Sequence, residues 1–500
     1  MNISVSQTAL NGDTPVAAIV VGPGRVDDSA DGLAAQARLF GYQVDRIEEF
    51  RLFHVLGALS DPDYHRLAHT LLVDPVGEWA LSADDHLATV VDGGDGGNIV
   101  VDVGLRPGVT DREGAELVRA ADALGSAVEG AAVARRLVVT GRLGTTDVER
   151  LAADVLHNEV VERWAMAPLA PAFTDPAAKA PGVDVIAIRR LSDEAELVEL
   201  SKGRRLGLTG PEMIVIRDHF EQLERDPTDG ELETLAQTWS EHCSHKTFRA
   251  LIDTPDGQID GLLKSYLRAA TDTIDAPWVR SAFVDNAGIV AFDEHIDLAI
   301  KAETHNHPSA LEPFGGANTG VGGVVRDILG VSAKPVAITD ILCFGPEDVN
   351  ADDLPPGVLH PRRIRSGVIA GVGDYGNKIG VPTIAGAIVH DASYTTTPLV
   401  FAGCIGILPT GSHPTEPQPG DAVVVLGGAV GRDGVGGATF SSQSMGAETA
   451  DIAGSSVQIG DPIVEKGLID VVLAARDRGL YNAITDCGAG GLSSAVGEMA

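Results

Sequence analysis

Apolar residues recur along this chain with a rhythm that changes twice. Over the first 168 residues, short apolar runs such as Val16 to Val21 and Ile99 to Val103 alternate with Leu/Ala-rich segments of helical period. The stretch from Val55 to Trp79 returns from Val139 to Trp164. Gly57 and Gly141, Leu59 and Leu143, Leu67 and Leu151, Ala68 and Ala152, and Leu72 and Leu156 all stand 84 apart (141 − 57 = 84). One added residue then brings Trp79 opposite Trp164. Matched glycines, leucines and tryptophans predict two strand-helix-strand-helix modules that pair their sheets, a fused version of a homodimer. Asp61 or Thr145 is expected to cap the Leu/Ala helix of each copy. No catalytic constellation appears there, so the expected role is structural or an assembly surface.

Pro168 to Pro181 is rich in Pro and Ala and reads as a linker. Helical spacing follows: one helix after Ser192, one opened by Thr209-Gly210-Pro211, and one from Thr228-Asp229 running to Cys243. Between Ala282 and Leu408 the apolar runs IVAFD, LAIKAET, PVAITDILCFG, GVPTIAGAIV and PLVFAGCIGIL alternate with helical pieces, as in an α/β or α+β domain. After Pro417 to Gly420 a new unit is expected, with a strand in DAVVVLGGAVG, a helix near Asp461 to Arg476 and a strand ending at Thr485. It stops inside the helix LSSAVGEMA, which suggests an N-terminal portion of a longer polypeptide. The expected division is 1–168, 169–246, 247–412 and 413–500.

Composition narrows the chemistry. Apolar residues make up 44% and aromatics only 4%, so the cores must rely on Ala, Val, Leu and Ile, with close backbone packing helped by 59 glycines. Lys and Arg number 37 against 71 acids, a net charge of −34, which repels nucleic acid and anionic membrane. A phosphorylated metabolite would need local help from magnesium, backbone amides or placed cations. Cys243, Cys343, Cys404 and Cys487 form no C-x-x-C pair and suit a reducing cytoplasm. No signal peptide is read at the N-terminus, and the longest apolar run, Leu399 to Leu408, is too short to span a bilayer.

The sharpest local signal is Lys301-Ala302-Glu303-Thr304-His305-Asn306-His307-Pro308-Ser309, at the end of an apolar strand. If extended geometry continues, Lys301, Glu303, His305 and His307 share one face. Downstream, Gly315 to Gly323 reads as a glycine loop leading into the helix VVRDIL, with Arg326 and Asp327 in its first turns as an anion fork and a hard-oxygen magnesium ligand. SEHCSHK places His242 and His245 three residues apart at a helix end, where Cys243 is better read as packed than as a nucleophile. Asp486, in TDCGAGG, looks like a further magnesium carboxylate. Isolated histidines such as His54, His65 and His390 are set aside as ordinary polar residues.

At these motifs the chain resembles the formylglycinamidine ribonucleotide synthase family. The matching pieces are PTDGELETLAQTWSEHCSHKTF, KAETHNHPSALEPFGGANTGVGGVVRD, GRDGVGGATF, SVQIGDP and TDCGAGGLSSAVGEMA, in the family's order. The front repeat resembles the small partner subunit that some members use as a dimer and others carry fused.

The resemblance implies a fold of the aminoimidazole ribonucleotide synthetase superfamily and a magnesium- and ATP-dependent ligase of purine biosynthesis. ATP would phosphorylate the oxygen of formylglycinamide ribonucleotide, and ammonia would displace phosphate from the iminophosphate to give the amidine. It also implies catalytic His242 and His305, the latter as proton acceptor. ATP would lie on His245, Lys301 and the glycines Gly316, Gly320, Gly322 and Gly323. Magnesium would lie on Glu303, Asp327 and Asp486, and the substrate on Thr304, His305, Asn306, His307, Arg326 and Gln458. His245 departs from the Tyr usual in short relatives. No glutaminase is present, so ammonia would come from glutamine through another domain or subunit. Rival readings are another ATP-dependent member of the superfamily, a zinc protein using His242, His245, His305 and His307, and a non-catalytic assembly subunit.

Overall fold

The 84-residue repeat closes on itself in one antiparallel sheet. Its strands are β1 (Gln7–Ala9), β2 (Pro15–Pro23), β3 (Val44–Leu56), β4 (Glu78–Ser82), β5 (Ile99–Leu105), β6 (Gly130–Gly141) and β7 (Glu162–Met166). Their order is β1-β2-β3-β6-β5-β7, with β4 also on β2. This computed structural model describes residues 7–9, 15–23, 31–92, 98–107, 109–158, 161–173, 182–428, 434–442, 445–446, 458 and 460–500. It divides into two units, Met1–Lys179 and Ala180–Ala500.

At the middle of the first sheet, Arg51 of β3 pairs directly with Arg135 of β6, its own repeat mate (135 − 51 = 84). A pseudo-two-fold axis therefore passes between them, and the symmetry extends to hydrogen bonds. Arg51 Nη2 donates to Leu72 O and Glu78 at 3.0 and 2.7 Å; Arg135 Nη2 donates to Leu156 O and Glu162 at 3.1 and 2.9 Å.

Helices α1 (Asp31–Leu39), α2 (Asp61–Leu67), α4 (Arg112–Ala123) and α5 (Thr145–Leu151) lie on one face, and α3 (Ala83–Asp92) lies on the other. The caps of α2 and α5 are Ser60 and Gly144, each one residue before the expected position.

The two tryptophans do not correspond. The 84-residue spacing continues unbroken through Glu78 and Glu162, so Trp79 matches Arg163. Trp79 lies opposite Gly22 and packs against Phe50 and His86, whereas Trp164 lies opposite Val103 and packs with the Leu137 and Leu151 cluster. One residue of shift reverses the face of a strand, and the inserted residue expected from sequence would have done that.

The second unit begins with α6 (Glu194–Gly203), α7 (Gly210–Gln222), α8 (Asp229–Thr238) and α9 (Glu241–Ser244). Thr209 with Glu212 and Thr228 with Glu231 form capping boxes that fix the starts of α7 and α8. The expected continuous helix to Cys243 breaks at Trp239, because Ser240 caps a new turn by accepting from Cys243 N. Then come α10 (Lys246–Arg249), a hairpin of β8 (Leu251–Thr254) and β9 (Gly257–Asp260), and α11 (Ala269–Ile274).

A six-stranded sheet follows, in the order β10-β11-β12-β15-β13-β14. Its strands are β10 (Val279–Ser281), β11 (Gly288–Ala291), β12 (Ile296–Thr304), β13 (Lys334–Phe344), β14 (Thr383–His390) and β15 (Leu399–Pro409). Only β13 and β14 run parallel, so the α+β description fits better than a wound parallel sheet. Between the strands lie α12 (Asn306–Leu311), α13 (Pro313–Gly330) and α14 (Pro361–Ile379). The last two cover one face with Val321, Val324, Ile328, Val368 and Tyr375 in the core.

Beyond residue 417 the described part of DAVVVLGGAVG, through residue 428, does not form the expected strand. Val423 and Val424 are 64% and 70% exposed and pair with no strand among the described residues. The stretch ending at Thr485 is likewise irregular. The helices Pro462–Asp477 and Gly491–Met499 are present. Among the described residues no helix is long and apolar enough to cross a membrane.

Candidate active site

Strand β12 runs antiparallel to β15 as far as Thr304, and its alternation puts Lys301 and Glu303 on one face. Lys301 Nζ lies 2.9 Å from Asp327 Oδ2 on α13 and 3.4 Å from Glu303 Oε2. Glu303 Oε1 lies 3.9 Å from His242 Nε2 on α9. Three elements distant in sequence thus meet at one charged cluster.

The extended geometry stops there. His305 turns away with φ −128 and ψ 55 and caps α12. Its N–H donates to Val400 O at 2.7 Å, and its carbonyl accepts from Ser309 Oγ at 2.6 Å. The expected single face for Lys301, Glu303, His305 and His307 is therefore only half formed, because the backbone bends once those hydrogen bonds are made. His305 is half-buried, and its Nδ1 is enclosed with no hydrogen-bond partner. Burial pushes its pKa below the ordinary value against the opposing pull of Glu303, which keeps the ring neutral.

The glycine loop is not a loop. Gly315 to Gly323 lie inside α13, and Arg326 and Asp327 sit near its end. Glycine is a poor helix former, so the run reads as a loop until packing is known. A Cβ at Gly316 would come within 2.5 Å of Pro308 and Ser309 backbone, one at Gly320 within 3.0 Å of His305 Cβ, and one at Gly322 within 2.5 Å of Tyr375 Oη. Those three residues serve close approach, and their amides lie within the helix. Gly323 has open space above it and lines a cavity.

Other expected site residues are placed as follows. The Asn306 side chain accepts from Val400 N at 2.8 Å and so fastens α12 to the sheet. Thr304 ends β12 opposite Phe401, and His307 stands edge-on to Phe440 at 5.8 Å. His245 is exposed and left-handed at φ 50, in a region non-glycine residues seldom occupy. The Cys243 thiol is pushed up by burial, which suits packing and not nucleophilic attack. Parts of GRDGVGGATF and SVQIGDP lie outside the described residues.

Arg326 Nε donates to Asp486 Oδ2 at 2.8 Å. Burial and the nearby Asp486 push Asp327 up to about 7, outweighing Lys301. Burial would lower the Lys301 pKa, but Asp327 and Glu303 hold it raised. Among the described residues no three His, Cys, Asp or Glu side chains are grouped to hold a metal. Magnesium nonetheless needs only one or two protein carboxylates beside substrate phosphates and water. The excess negative charge at Asp327 and Asp486 fits that demand.

Sequence reasoning missed the cavity beside this cluster. It measures about 150 Å³ and is lined by Thr319, Gly323, Arg326, Tyr375, Gln458 and Glu465, among others. Thr319 Oγ1 donates to Gln458 O at 2.8 Å, and Tyr375 Oη donates to Glu465. Glu465, Ile469 and Val472 fall at helical spacing on one buried face. An acid inside an apolar stripe is the signal that could have exposed it.

Three family models match the second unit. Residues 197–246 match the formylglycinamide ribonucleotide amidotransferase linker domain, and 284–408 and 418–500 match the N-terminal and C-terminal domains of AIR synthase related proteins. The phosphoribosylformylglycinamidine synthase subunit PurL of Thermoplasma acidophilum is 43% identical over 312 residues, 62% of this chain and 39% of the relative. That of Thermoplasma volcanium is 40% identical over 316 residues, 63% of this chain and 39% of the relative. A solved structure, T. maritima PurL complexed with FGAR, is 35% identical and covers 56% of this chain and 40% of its own, with a TM-score of 0.43. The chain spans about two-fifths of the length of the relatives it matches. Over its linker and AIR synthase related domains, between residues 197 and 500, the chain is a homologue of the phosphoribosylformylglycinamidine synthase subunit PurL.

Proposed function

We propose that this chain takes part in the ATP-dependent conversion of formylglycinamide ribonucleotide to the amidine, with ammonia drawn from glutamine by another domain or subunit. The observation that carries this reading is the meeting of His242, Glu303, Lys301 and Asp327 at the strand end that leads into the half-buried His305. An amide oxygen is a poor leaving group, so phosphoryl transfer from ATP activates it, and ammonia then displaces the phosphate. The neutral His305 ring, with Nδ1 unpaired, accepts the proton that the attacking ammonia sheds. Lys301 offers a point charge to ATP phosphates. Magnesium, held by one or two of Asp327, Asp486 and Glu303 beside substrate phosphates and water, would neutralise charge during transfer. Arg326 and Gln458, both on the cavity wall, hold the ribonucleotide.

Residues 1–168 are assigned in this reading to a fused small-subunit-like module, supported by their pseudo-two-fold sheet. The zinc reading gains nothing from the geometry: no such set of donors forms among the described residues.

Calorimetry with formylglycinamide ribonucleotide and with Mg-ATP tests the reading first, followed by ammonia-dependent ADP formation. His305→Ala is expected to lower that rate by about 10²- to 10⁴-fold, with substrate affinity little changed. A chain that binds neither substrate, or a variant with wild-type turnover, would overturn it.

A further inference from the structure

The cavity beside the charged cluster has a built floor that no motif assigns. Glu465 is 6% exposed, and its two carboxyl oxygens are in different states. One accepts from Tyr375 Oη, while Oε1 is enclosed with no hydrogen-bond partner. A buried acceptor left without a donor is costly, and such an atom at a cavity wall marks where a ligand's donor completes the set.

The arrangement around it is fixed. Tyr375 fits only because both its neighbours lack side chains: a Cβ at Gly322 would come within 2.5 Å of Tyr375 Oη, and one at Gly460 within 2.8 Å of Tyr375 Cε2. Thr319 ties the Gln458 and Gly460 backbone to α13 through two hydrogen bonds, at 2.8 and 3.1 Å. Asp461 caps the helix that carries Glu465, accepting from Val464 N at 3.1 Å. The cavity is thus lined both by a carboxylate with one unpaired oxygen, Glu465, and by a cation, Arg326.

That pattern suits a hydroxyl-bearing ring. A phosphate pressed against Glu465 would be repelled, and a bare apolar group would leave Oε1 unpaired. The cavity, about 150 Å³, has room for a small polar ring. Carboxylates are a recurrent partner of ribose hydroxyls in nucleotide sites. We propose that Glu465 is a positioning residue that accepts a hydrogen bond from a ribose hydroxyl of the bound ribonucleotide, with Tyr375 holding its other oxygen. This rests on the function proposed above, and it names the part of the substrate that the cavity takes.

Binding to the whole chain is measured by calorimetry with formylglycinamide ribonucleotide and its 2′-deoxy and 3′-deoxy analogues. ATP and its two deoxy analogues form a second arm. The wild-type chain should lose about tenfold or more in affinity when one hydroxyl of formylglycinamide ribonucleotide is removed, the range for a hydrogen bond to a charged acceptor. In Glu465→Gln that discrimination should shrink to under about threefold, while the fully hydroxylated ligand still binds. Discrimination confined to the ATP arm would overturn the assignment to the substrate's ribose. Equal affinity for the parent ribonucleotide and both its deoxy analogues in the wild type would overturn the inference without any variant, so a poorly folding Glu465→Gln does not protect it. Unchanged discrimination in Glu465→Gln would overturn it too, while leaving the proposed function standing. No binding of the parent ribonucleotide would strike the proposed function itself.

Discussion

Two places in this molecule bury charge, and they do so in opposite ways. In the first unit Asp102 and Arg136 face each other on β5 and β6, both essentially without solvent contact. Their groups are almost fully used. Arg136 Nε and Nη2 donate to the two carboxylate oxygens at 2.8 and 3.0 Å, and Nη1 donates to Ala83 O at 2.6 Å. Leu169 N–H donates to Asp102 as well, at 3.1 Å. In the second unit Lys301 and Arg326 stand among Glu303, Asp327, Glu465 and Asp486, so acids outnumber cations. Burial pushes both Asp327 and Glu465 up to about 7, helped by their acidic neighbours. A balanced pair with its hydrogen bonds made is architecture. A surplus of carboxylate in a cleft is a place for a cation, a proton or a ligand's donor groups.

The repeat sharpens this contrast, because the first unit contains its own control. The cross-strand position occupied by Asp102 and Arg136 in the second copy is held by Val20 and Leu52 in the first. Both solutions fill the same face of one sheet. Asp102→Asn should therefore be costly, by about 3–5 kcal/mol, since it strands a buried guanidinium. Changing both residues, Asp102→Val with Arg136→Leu, should leave stability within about 1 kcal/mol of wild type or raise it. Hydrogen exchange at the β5 and β6 amides reads this locally, which matters in a chain of two units. A double variant as unstable as the single one would mean the ion pair specifies the fold and is no mere alternative to packing.

The same acid-to-amide change in the second unit should have the opposite sign. The folded pKa of Glu465 is about 7, raised from an ordinary 4.5 chiefly by burial. A raised carboxyl pKa gives stability that is fully present below about pH 4.5 and is lost as pH climbs to about 7. Glu465→Gln removes that loss. The variant should match wild type near pH 4 and exceed it at pH 8 by up to about 3 kcal/mol, read from exchange in the helix Pro462–Asp477. A variant less stable than wild type at pH 8 would show that the Tyr375 contact outweighs the strain of burying the charge, and the contrast between the two clusters would weaken.

Much of the architecture was legible because local rules and packing agree. The capping boxes at Thr209 and Thr228, the five strand segments between residues 288 and 409, and the repeat itself each follow from side-chain chemistry within a few residues. Where the two disagree, the reading failed. The Gly315 to Gly323 run has weak helix propensity, yet it is helical because α12, His305 and Tyr375 approach too closely for side chains. Trp79 and Trp164 look matched, yet they point to opposite faces because register, once set at Arg51 and Arg135, cannot slip by one. The histidine and carboxylate motifs were visible as motifs. Their convergence was not, and beyond the acid in the apolar stripe of its helix nothing local announces that Glu465 joins Tyr375 across 90 residues.

The smallest effects test whether the repeat is symmetric in energy as well as in form. Glu78 and Glu162 make the same contacts one copy apart: each accepts from an arginine of the central strand pair and from a backbone amide, Asp74 N at 2.9 Å and Asn158 N at 2.8 Å. Both pairs are partly solvated, so each is worth little, about 0.5–1 kcal/mol on substitution by Gln. They should nonetheless differ in rank. Glu162 is 20% exposed against 29% for Glu78, and Arg135 reaches both of its oxygens, at 2.9 and 3.2 Å. Arg135 also keeps Glu49 at 3.6 Å as a second partner, which cushions the loss. Burial therefore predicts the larger cost for Glu162→Gln, and the spare partner predicts that the gap is small. Exchange at the β3 and β6 amides should show both strands loosening together, since they share the axis. If Glu78→Gln frees β3 while β6 keeps its protection, the two copies are coupled through shape alone, and the likeness of their hydrogen bonds contributes nothing to the joint stability of the sheet.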